Sequence, residues 1–225
     1  MCGRYTLTRH EVIVDDLQAS LGLAMGSEWW RPRFNVAPTQ PAPVVITVHG
    51  VRTIEMMRWG LVPFWGGRSD RRPPLMINAR LESIATKPMF RNALQRKRCL
   101  IPADGFFEWK REDKASAPFY VHPEPRHTIA FAGLWARAKT EAGELLSFTI
   151  ITGPANGLVA PIHDRMPIIL DSSAYAAWLD PALDADAARA LLRIPTVADW
   201  RAEPVSAHVN NPNNDDPGCI VRPSQ

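Results

Sequence analysis

Length, composition and charge limit what this chain can be. Its 225 residues are enough for one sizeable hydrophobic core, and 46% hydrophobic with 22% charged residues is typical of a globular protein rather than a disordered one. A net charge of +3 does not by itself require a nucleic-acid partner. Three cysteines without a CxxC pair argue against a disulfide framework and against a zinc site.

The first 25 residues carry several charges and no apolar segment of the signal-peptide kind. No apolar run approaches the roughly 18 residues that a membrane helix needs. We therefore expect a cytoplasmic protein that uses no membrane, metal or other cofactor. The sequence contains no coiled-coil pattern or other dimer motif, so we expect a monomer.

Twenty-one prolines predict short elements joined by many loops. A capping-box pattern at Thr8 and Glu11 predicts a first helix over about residues 9–20. Apolar and β-branched runs then predict strands over residues 44–48, 51–56, 99–101, 106–109, 119–121, 129–134 and 148–151. Helix signals predict further helices over residues 87–96, 171–179 and 184–192.

The order of these elements indicates the fold class. Strands and helices are interspersed without a regular βαβ rhythm, which favours an α+β protein with a largely antiparallel sheet. No repeat, low-complexity tract or clean linker divides the chain. We therefore predict one domain over residues 1–225.

Cys2 is the residue with the most distinctive chemistry. Once Met1 is removed, the chain begins with an α-amine and a thiol on adjacent carbons. An aldehyde condenses with such an amine to an imine, and the thiol then closes a five-membered thiazolidine ring. Reference pKa values of about 8 for the amine and 8.5 for the thiol leave both groups partly reactive near neutral pH. Taken alone, Cys2 could equally be an ordinary second residue.

Asn78 and Arg80 directly follow the apolar segment 75–77. A buried strand that ends in these two residues presents an amide and a guanidinium at the mouth of a site. The planar guanidinium suits phosphate oxygens, and the amide can hold a hydroxyl or a carbonyl. The alternative interpretation is a turn asparagine next to a surface arginine.

Glu108 and His163 are the candidate proton carriers. Glu108 is flanked by aromatic residues, and burial there would raise its pKa to a value that suits a proton shuttle. His163 lies between Pro161 and Pro167 in a loop that we expect to be held tightly, and histidine titrates near neutral pH. The alternatives are simple strand alternation around Glu108 and a structural role for His163.

Aromatic and basic residues interleave over residues 58–72. We expect Trp59 in the core and Trp65, with Arg68, at a surface groove. Aromatic platforms beside basic residues are typical of sequence-tolerant binding to single-stranded nucleic acid.

Eight segments together resemble the SRAP (SOS response-associated peptidase) family of abasic-site processing proteins. The resemblance runs nearly end to end, and Phe107 stands where tyrosine is common in the family. The basic residues of loop 66–74 cannot be placed against the family pattern, so no role is carried over to them. The segments are residues 1–5, 34–38, 58–63, 78–82, 98–102, 105–109, 131–135 and 163–167.

The resemblance implies a compact α+β domain with a curved, largely antiparallel, barrel-like sheet flanked by short helices. It implies a protein that cross-links covalently to abasic sites in single-stranded DNA, with Cys2 as the nucleophile. Further active-site positions match Asn78, Glu108 and His163. Positions that hold DNA phosphates match Arg4, Arg80 and Arg165, and the loop lining the site matches Asn35 and Pro38.

Other activities remain open at this stage. The imine could proceed to β-elimination, which would make the protein an abasic-site lyase. Cys2 could instead act as the nucleophile of a peptidase, if only to remove Met1 from its own chain. A third interpretation is a non-covalent reader of modified bases that does not use Cys2.

Overall fold

The structure is a computed structural model that describes residues 2–9, 31–64, 75–112, 115–141, 143–194, 196 and 199–223. The helix predicted over residues 9–20 lies outside these ranges from residue 10 onward. Trp65 and loop 66–74 also lie outside them.

Thirteen strands lie in the described residues, and the longer ones extend beyond their predicted bounds. They are β1 (Arg4–Leu7), β2 (Arg33–Val36), β3 (Pro41–Val48), β4 (Val51–Trp59), β5 (Asn78–Arg80), β6 (Arg98–Ala103), β7 (Gly105–Glu112), β8 (Ala115–Pro123), β9 (Ile129–Thr140), β10 (Gly143–Pro154), β11 (Arg165–Pro167), β12 (Ile169–Leu170) and β13 (Trp200–Pro204).

Five of these strands close into a ring. β3 pairs with β4 and β6, β9 pairs with β6 and β10, and β10 returns to β4. The β4–β10 pairing is parallel, and the other four pairings of the ring are antiparallel. Closing a sheet removes its open edges and encloses a core. The expectation of a curved, largely antiparallel, barrel-like sheet is confirmed.

A second sheet has the strand order β13-β8-β7-β1-β2 and is antiparallel throughout. β1 lies between β7 and β2, with Arg4 opposite Phe107 and Tyr5 opposite Val36. The start of the chain is therefore held between two neighbouring strands rather than left at the surface.

Aromatic rings join this second sheet to the ring of strands. The ring of Tyr5 lies edge-on to Trp59 and to Phe131, with centroids 5.3 and 5.8 Å apart. Trp59 stacks on Phe148 and donates a hydrogen bond from Nε1 to the carbonyl oxygen of Ile77 at 2.9 Å. All four rings are buried, so the prediction of Trp59 as a core residue is confirmed.

Short helices flank the sheets. The helix predicted over residues 87–96 is present as α1 (Pro88–Arg96). The one predicted over residues 171–179 is divided into a 3-10 turn (Ser172–Ala174) and α2 (Tyr175–Leu179). The last, α3 (Ala185–Ala190), starts where Asp184 accepts a hydrogen bond from the amide of Ala187. Across the described residues, no helix has both the length and the apolar character needed to cross a bilayer.

Gly133 in β9 lies where the neighbouring strands β6 and β10 leave no room for a side chain. A β-carbon at this position would lie 2.1 Å from Cδ1 of Ile101 and 3.0 Å from the carbonyl oxygen of Thr149. We expect Gly133→Ala to lower the free energy of unfolding by about 1–3 kcal/mol through overpacking, measured by urea denaturation. Gly157→Ala is the matched control, because a β-carbon there meets nothing within 4 Å. Equal stability of the two variants would contradict the tight packing at Gly133.

Candidate active site

Cys2 and Asn78 are brought together by the fold. Cys2 has no solvent exposure, and its carbonyl oxygen accepts a hydrogen bond from Nδ2 of Asn78 at 2.8 Å. Asn78 is placed by β5, where it pairs with Ile150 of the barrel strand β10. The buried strand predicted over residues 75–77 is wrong, because the strand begins at Asn78 and Leu75 is exposed, but the Asn78 amide does hold the start of the chain.

Glu108 lies on β7 beside the residues that precede β1. Arg4 is opposite Phe107, so the next position on β7 runs alongside the residues before Arg4. The Glu108 side chain is 2% exposed, and burial raises its pKa to about 7. The residues of β7 alternate between two faces, and both faces are covered, so Glu108 is buried although Phe107 packs on the other side. Phe106 belongs to the main core and Phe107 to a smaller core beside it.

The Cys2 thiol is in its neutral form. Burial is the main cause that raises the pKa of this thiol above its usual range, and the negative charge of Glu108 adds to the rise. The sulfur lies 3.7 Å from the carbonyl oxygen of Arg4, to which the thiol can donate. The buried site therefore disfavours a resting thiolate.

His163 lies in the turn between β10 and β11. Its Nδ1 accepts a hydrogen bond from the backbone N–H of Arg165 at 3.0 Å. Burial is the largest cause that lowers the pKa of His163, so the imidazole is neutral at neutral pH. With Nδ1 occupied as an acceptor, the proton of the neutral ring is on Nε2.

Asp164 is also close to Nδ1 of His163, with Oδ1 at 3.0 Å, but its side chain is 86% exposed. A neutral Nδ1 that accepts from a backbone N–H cannot donate to this carboxylate, so we assign the backbone bond as the one that orients the ring. The charge of Asp164 also adds to the rise in the pKa of Glu108, which is caused mainly by burial. Glu108 and the His163 loop are therefore within electrostatic reach of each other.

Arg80 and Arg165 differ in what their guanidinium groups contact. Arg80 ends β5 with an exposed side chain. Arg165 forms a bidentate ion pair with Glu82, at 2.6 and 2.9 Å. Glu82 had no predicted role, although it lies in a segment that carries the family resemblance.

Pro38, expected in the loop that lines the site, is half-buried in the turn that follows β2.

Arg4 and Asn35 hold a segment that we call the C-terminal strap, residues 206–221. Nη1 of Arg4 donates to the carbonyl oxygen of Val209 at 2.7 Å, and its guanidinium lies 5.9 Å from the ring centroid of Trp109. Nδ2 of the fully buried Asn35 donates to three carbonyl oxygens of the strap, at Val209, Asn211 and Asn214. These contacts are structural, and the expected DNA contacts of Arg4 and Asn35 stay predictions.

In the described part of the chain, one group of side chains has ligand atoms close enough to share a metal ion. His208, Asp216 and Cys219 of the strap place one such atom each within 4.8 Å of one another. These groups already satisfy one another or the backbone. Nε2 of His208 lies 2.9 Å from Oδ2 of Asp216, and the Cys219 thiol donates to the carbonyl oxygen of Asn214. The expectation that the protein uses no metal stays a prediction.

Comparisons with known proteins match the chain to one family. The model of the SOS response associated peptidase (SRAP) family matches residues 1–212. The abasic site processing protein YoqW of Bacillus subtilis is 39% identical over 98% of this chain and 99% of its own length. HMCES of Gallus gallus is 32% identical over 98% of this chain and 77% of its own length. YedK of Escherichia coli is 30% identical over 80% of this chain and 79% of its own.

A solved structure of a protein from Bacteroides thetaiotaomicron superposes with a TM-score of 0.85 at 25% identity, covering 98% of this chain and 99% of that one. The fold is α+β with a closed sheet. The buried Cys2 and the buried carboxyl of Glu108 beside it define a candidate active site. The chain belongs to the SRAP family, whose curated relatives are abasic site processing proteins.

The raised pKa of Glu108 predicts a pH-dependent stability. Because the folded pKa of about 7 lies above the unfolded value, ionising this carboxyl destabilises the folded state. The cost is absent below the unfolded pKa of about 4.3, grows as the pH rises from there, and is complete above pH 7. We expect Glu108→Gln to raise the free energy of unfolding by about 3 kcal/mol at pH 8 and by little at pH 4.

Urea denaturation at both pH values measures this difference. The exposed Glu144→Gln is the control, with changes within about 0.5 kcal/mol at either pH. A gain for Glu108→Gln that is the same at pH 4 and pH 8 would show that the carboxyl does not titrate in this range.

Proposed function

We propose that the mature protein, after loss of Met1, traps abasic sites in single-stranded DNA as a thiazolidine formed by Cys2. The observation that carries the proposal is the hydrogen bond from Asn78 to the carbonyl oxygen of Cys2, beside a buried carboxyl with a pKa of about 7. Once Met1 is lost, this arrangement puts the amine and thiol of Cys2 next to Glu108, the proton carrier. The names of the relatives, abasic site processing proteins, supply the substrate class, an abasic site.

Opening of the sugar is the first step. An abasic deoxyribose is mostly a closed hemiacetal, and only the open form has an aldehyde at C1′. Ring opening breaks the C1′–O4′ bond, removes the proton of the C1′ hydroxyl and adds one to O4′. A neutral His163 with its proton on Nε2 supports this step by donating a hydrogen bond to O4′. This assigns His163 as a hydrogen-bond donor rather than a base.

Attack by the amine follows. Glu108 is partly ionised at neutral pH and accepts the proton of the Cys2 ammonium, which frees the nitrogen lone pair. The nitrogen bonds to C1′ and gives a carbinolamine. Glu108 then returns its proton to the departing hydroxyl, so that one water leaves and a protonated imine remains, and this gives its nitrogen proton to the Glu108 carboxylate. Asn78 holds the Cys2 carbonyl during these steps, which fixes the direction of the amine.

Ring closure by the thiol comes last. The neutral thiol adds to the imine carbon, its sulfur bonds to C1′, and its proton ends on the former imine nitrogen. The net change is one aldehyde and one aminothiol converted to a thiazolidine and one water. The raised pKa of the thiol agrees with this order, because the amine and not a thiolate makes the first bond. A saturated C1′ no longer activates β-elimination, so the strand is shielded rather than cut.

Replacement of Cys2 tests the covalent step. A single-stranded oligonucleotide with one abasic site should give a denaturation-resistant band with the mature wild type. Cys2→Ala should give none, while Cys2→Ser should give at most an imine that borohydride traps, because it lacks the thiol.

Mass spectrometry of the N-terminus confirms that Met1 is absent in each sample. A stable band with Cys2→Ala would show that another residue is the nucleophile. No band with a correctly processed wild type would contradict the proposal and favour a peptidase or a reader of modified bases. Strand cleavage without a stable band would instead indicate a lyase.

Replacement of Arg80 tests the DNA contact. Binding that depends on phosphates weakens with salt, and each lost contact lowers the slope of log K against log [salt] by about 0.7 for a single strand. We expect Arg80→Gln to lower this slope by about that amount for every oligonucleotide sequence, measured by fluorescence anisotropy with Cys2→Ala protein. Arg137→Gln, in the β9–β10 hairpin, is the control. An unchanged slope for Arg80→Gln would remove Arg80 from the DNA contact.

A further inference from the structure

We propose that Glu82 is a positioning residue for the reaction at Cys2. Through its ion pair with Arg165, Glu82 fixes the backbone N–H of Arg165. This N–H determines which ring nitrogen of His163 carries the proton. This inference rests on the function proposed above. It also gives the Arg165 side chain a role that differs from the phosphate contact expected from the sequence.

The Glu82–Arg165 pair is held at three points. Nη1 and Nη2 of Arg165 donate to the two carboxylate oxygens of Glu82, at 2.6 and 2.9 Å. Nη2 also donates to the carbonyl oxygen of Thr152 at 2.6 Å. The Arg165 side chain is only 13% exposed, and the hydrogen bond from Arg165 is the main cause that lowers the pKa of Glu82. A bidentate pair of this kind has one geometry and is charged at neutral pH.

The barrel strand β10 brings the two partners together. At Thr152 it pairs with Arg80 of β5 on one side and with Pro167 of β11 on the other. The amide of Leu81 donates to the same Thr152 carbonyl at 2.9 Å. Glu82 just beyond β5 and Arg165 at the start of β11 therefore face each other across one residue of β10. The ion pair ties the ends of two short strands to the closed sheet.

His163 depends on Arg165 through the backbone. The N–H of Arg165 is the donor to Nδ1 of His163, at 3.0 Å. This donor keeps the lone pair on Nδ1 and the proton on Nε2, which is the tautomer that can donate to O4′. The other end of the turn is tied by the amide of His163 to the carbonyl oxygen of Val159 at 2.9 Å. When Glu82 no longer holds Arg165, the side chain of this first residue of β11 keeps only its bond to the Thr152 carbonyl oxygen, and the N–H of Arg165 is less firmly directed.

The same pair limits what Arg165 can do with DNA. A phosphate would have to displace a bidentate carboxylate and a backbone carbonyl from a mostly buried guanidinium. Arg80, one residue past the buried Ala79, has an exposed side chain and is the better phosphate contact. Arg80 therefore keeps the phosphate contact that the family resemblance implied for both arginines, and Arg165 holds the backbone beside His163.

The test compares Glu82→Gln with Glu144→Gln, which removes the charge from a surface ion pair at Arg137 outside the site. The ¹⁵N chemical shifts of His163 in the free protein report its tautomer. We expect Glu82→Gln to move the Nδ1 shift away from that of a hydrogen-bonded acceptor and to populate the Nδ1–H tautomer. Glu144→Gln should match the wild type.

The cross-linking rate is the second measurement. We expect Glu82→Gln to slow cross-link formation about tenfold and to change its pH profile, while affinity for the oligonucleotide stays unchanged. Glu82→Asp keeps the charge but shortens the reach, and it should recover part of the rate.

An unchanged His163 tautomer in Glu82→Gln would overturn the positioning role. Tighter DNA binding with an unchanged rate would also overturn it, and would mean that Glu82 only masks a phosphate-binding arginine. If the wild type forms no cross-link, the function proposed above fails. The tautomer measurement in the free protein still decides whether Glu82 fixes His163.

Discussion

The anchoring of β1 is the constraint on which the site depends. Tyr5 of β1 inserts its ring among aromatic residues of the closed sheet. Asp104, the single residue between β6 and β7, is buried and holds β1 by hydrogen bonds to Thr6 and Thr8. Chain ends are ordinarily poorly ordered. Here the strand two residues from Cys2 is part of the core, so Cys2 has a fixed position.

Burial gives the site its chemistry as well as its geometry. Taking Glu108 out of water raises its pKa towards neutrality, and the same burial keeps the Cys2 thiol neutral. One group becomes a better proton carrier and the other a poorer resting nucleophile. In the proposed reaction, the two effects together favour the order in which the amine bonds first and the thiol closes the ring. An exposed pair of the same residues would not impose this order.

Hydrogen bonds over long sequence separations complete the arrangement. Asn78 reaches Cys2 across 76 positions, and Glu82 reaches Arg165 across 83. Arg4 and Asn35 hold the C-terminal strap, so both ends of the described chain meet beside β7. The polar residues that the family resemblance brings together therefore have two kinds of task. Some lie at Cys2, and others hold the backbone that supports it.

The sequence by itself determined the order of the longer strands, the core position of Trp59 and the set of residues at the start of the chain, because local patterns and a family resemblance carry that information, but it missed short strands such as β1 and β5. It did not determine that both faces of β7 are covered around Glu108, nor that Arg165 is bound by Glu82. It also did not reveal that Asn35 serves the strap. These features depend on strand register and on contacts between residues far apart in the chain, and only the tertiary structure decides which side chains meet.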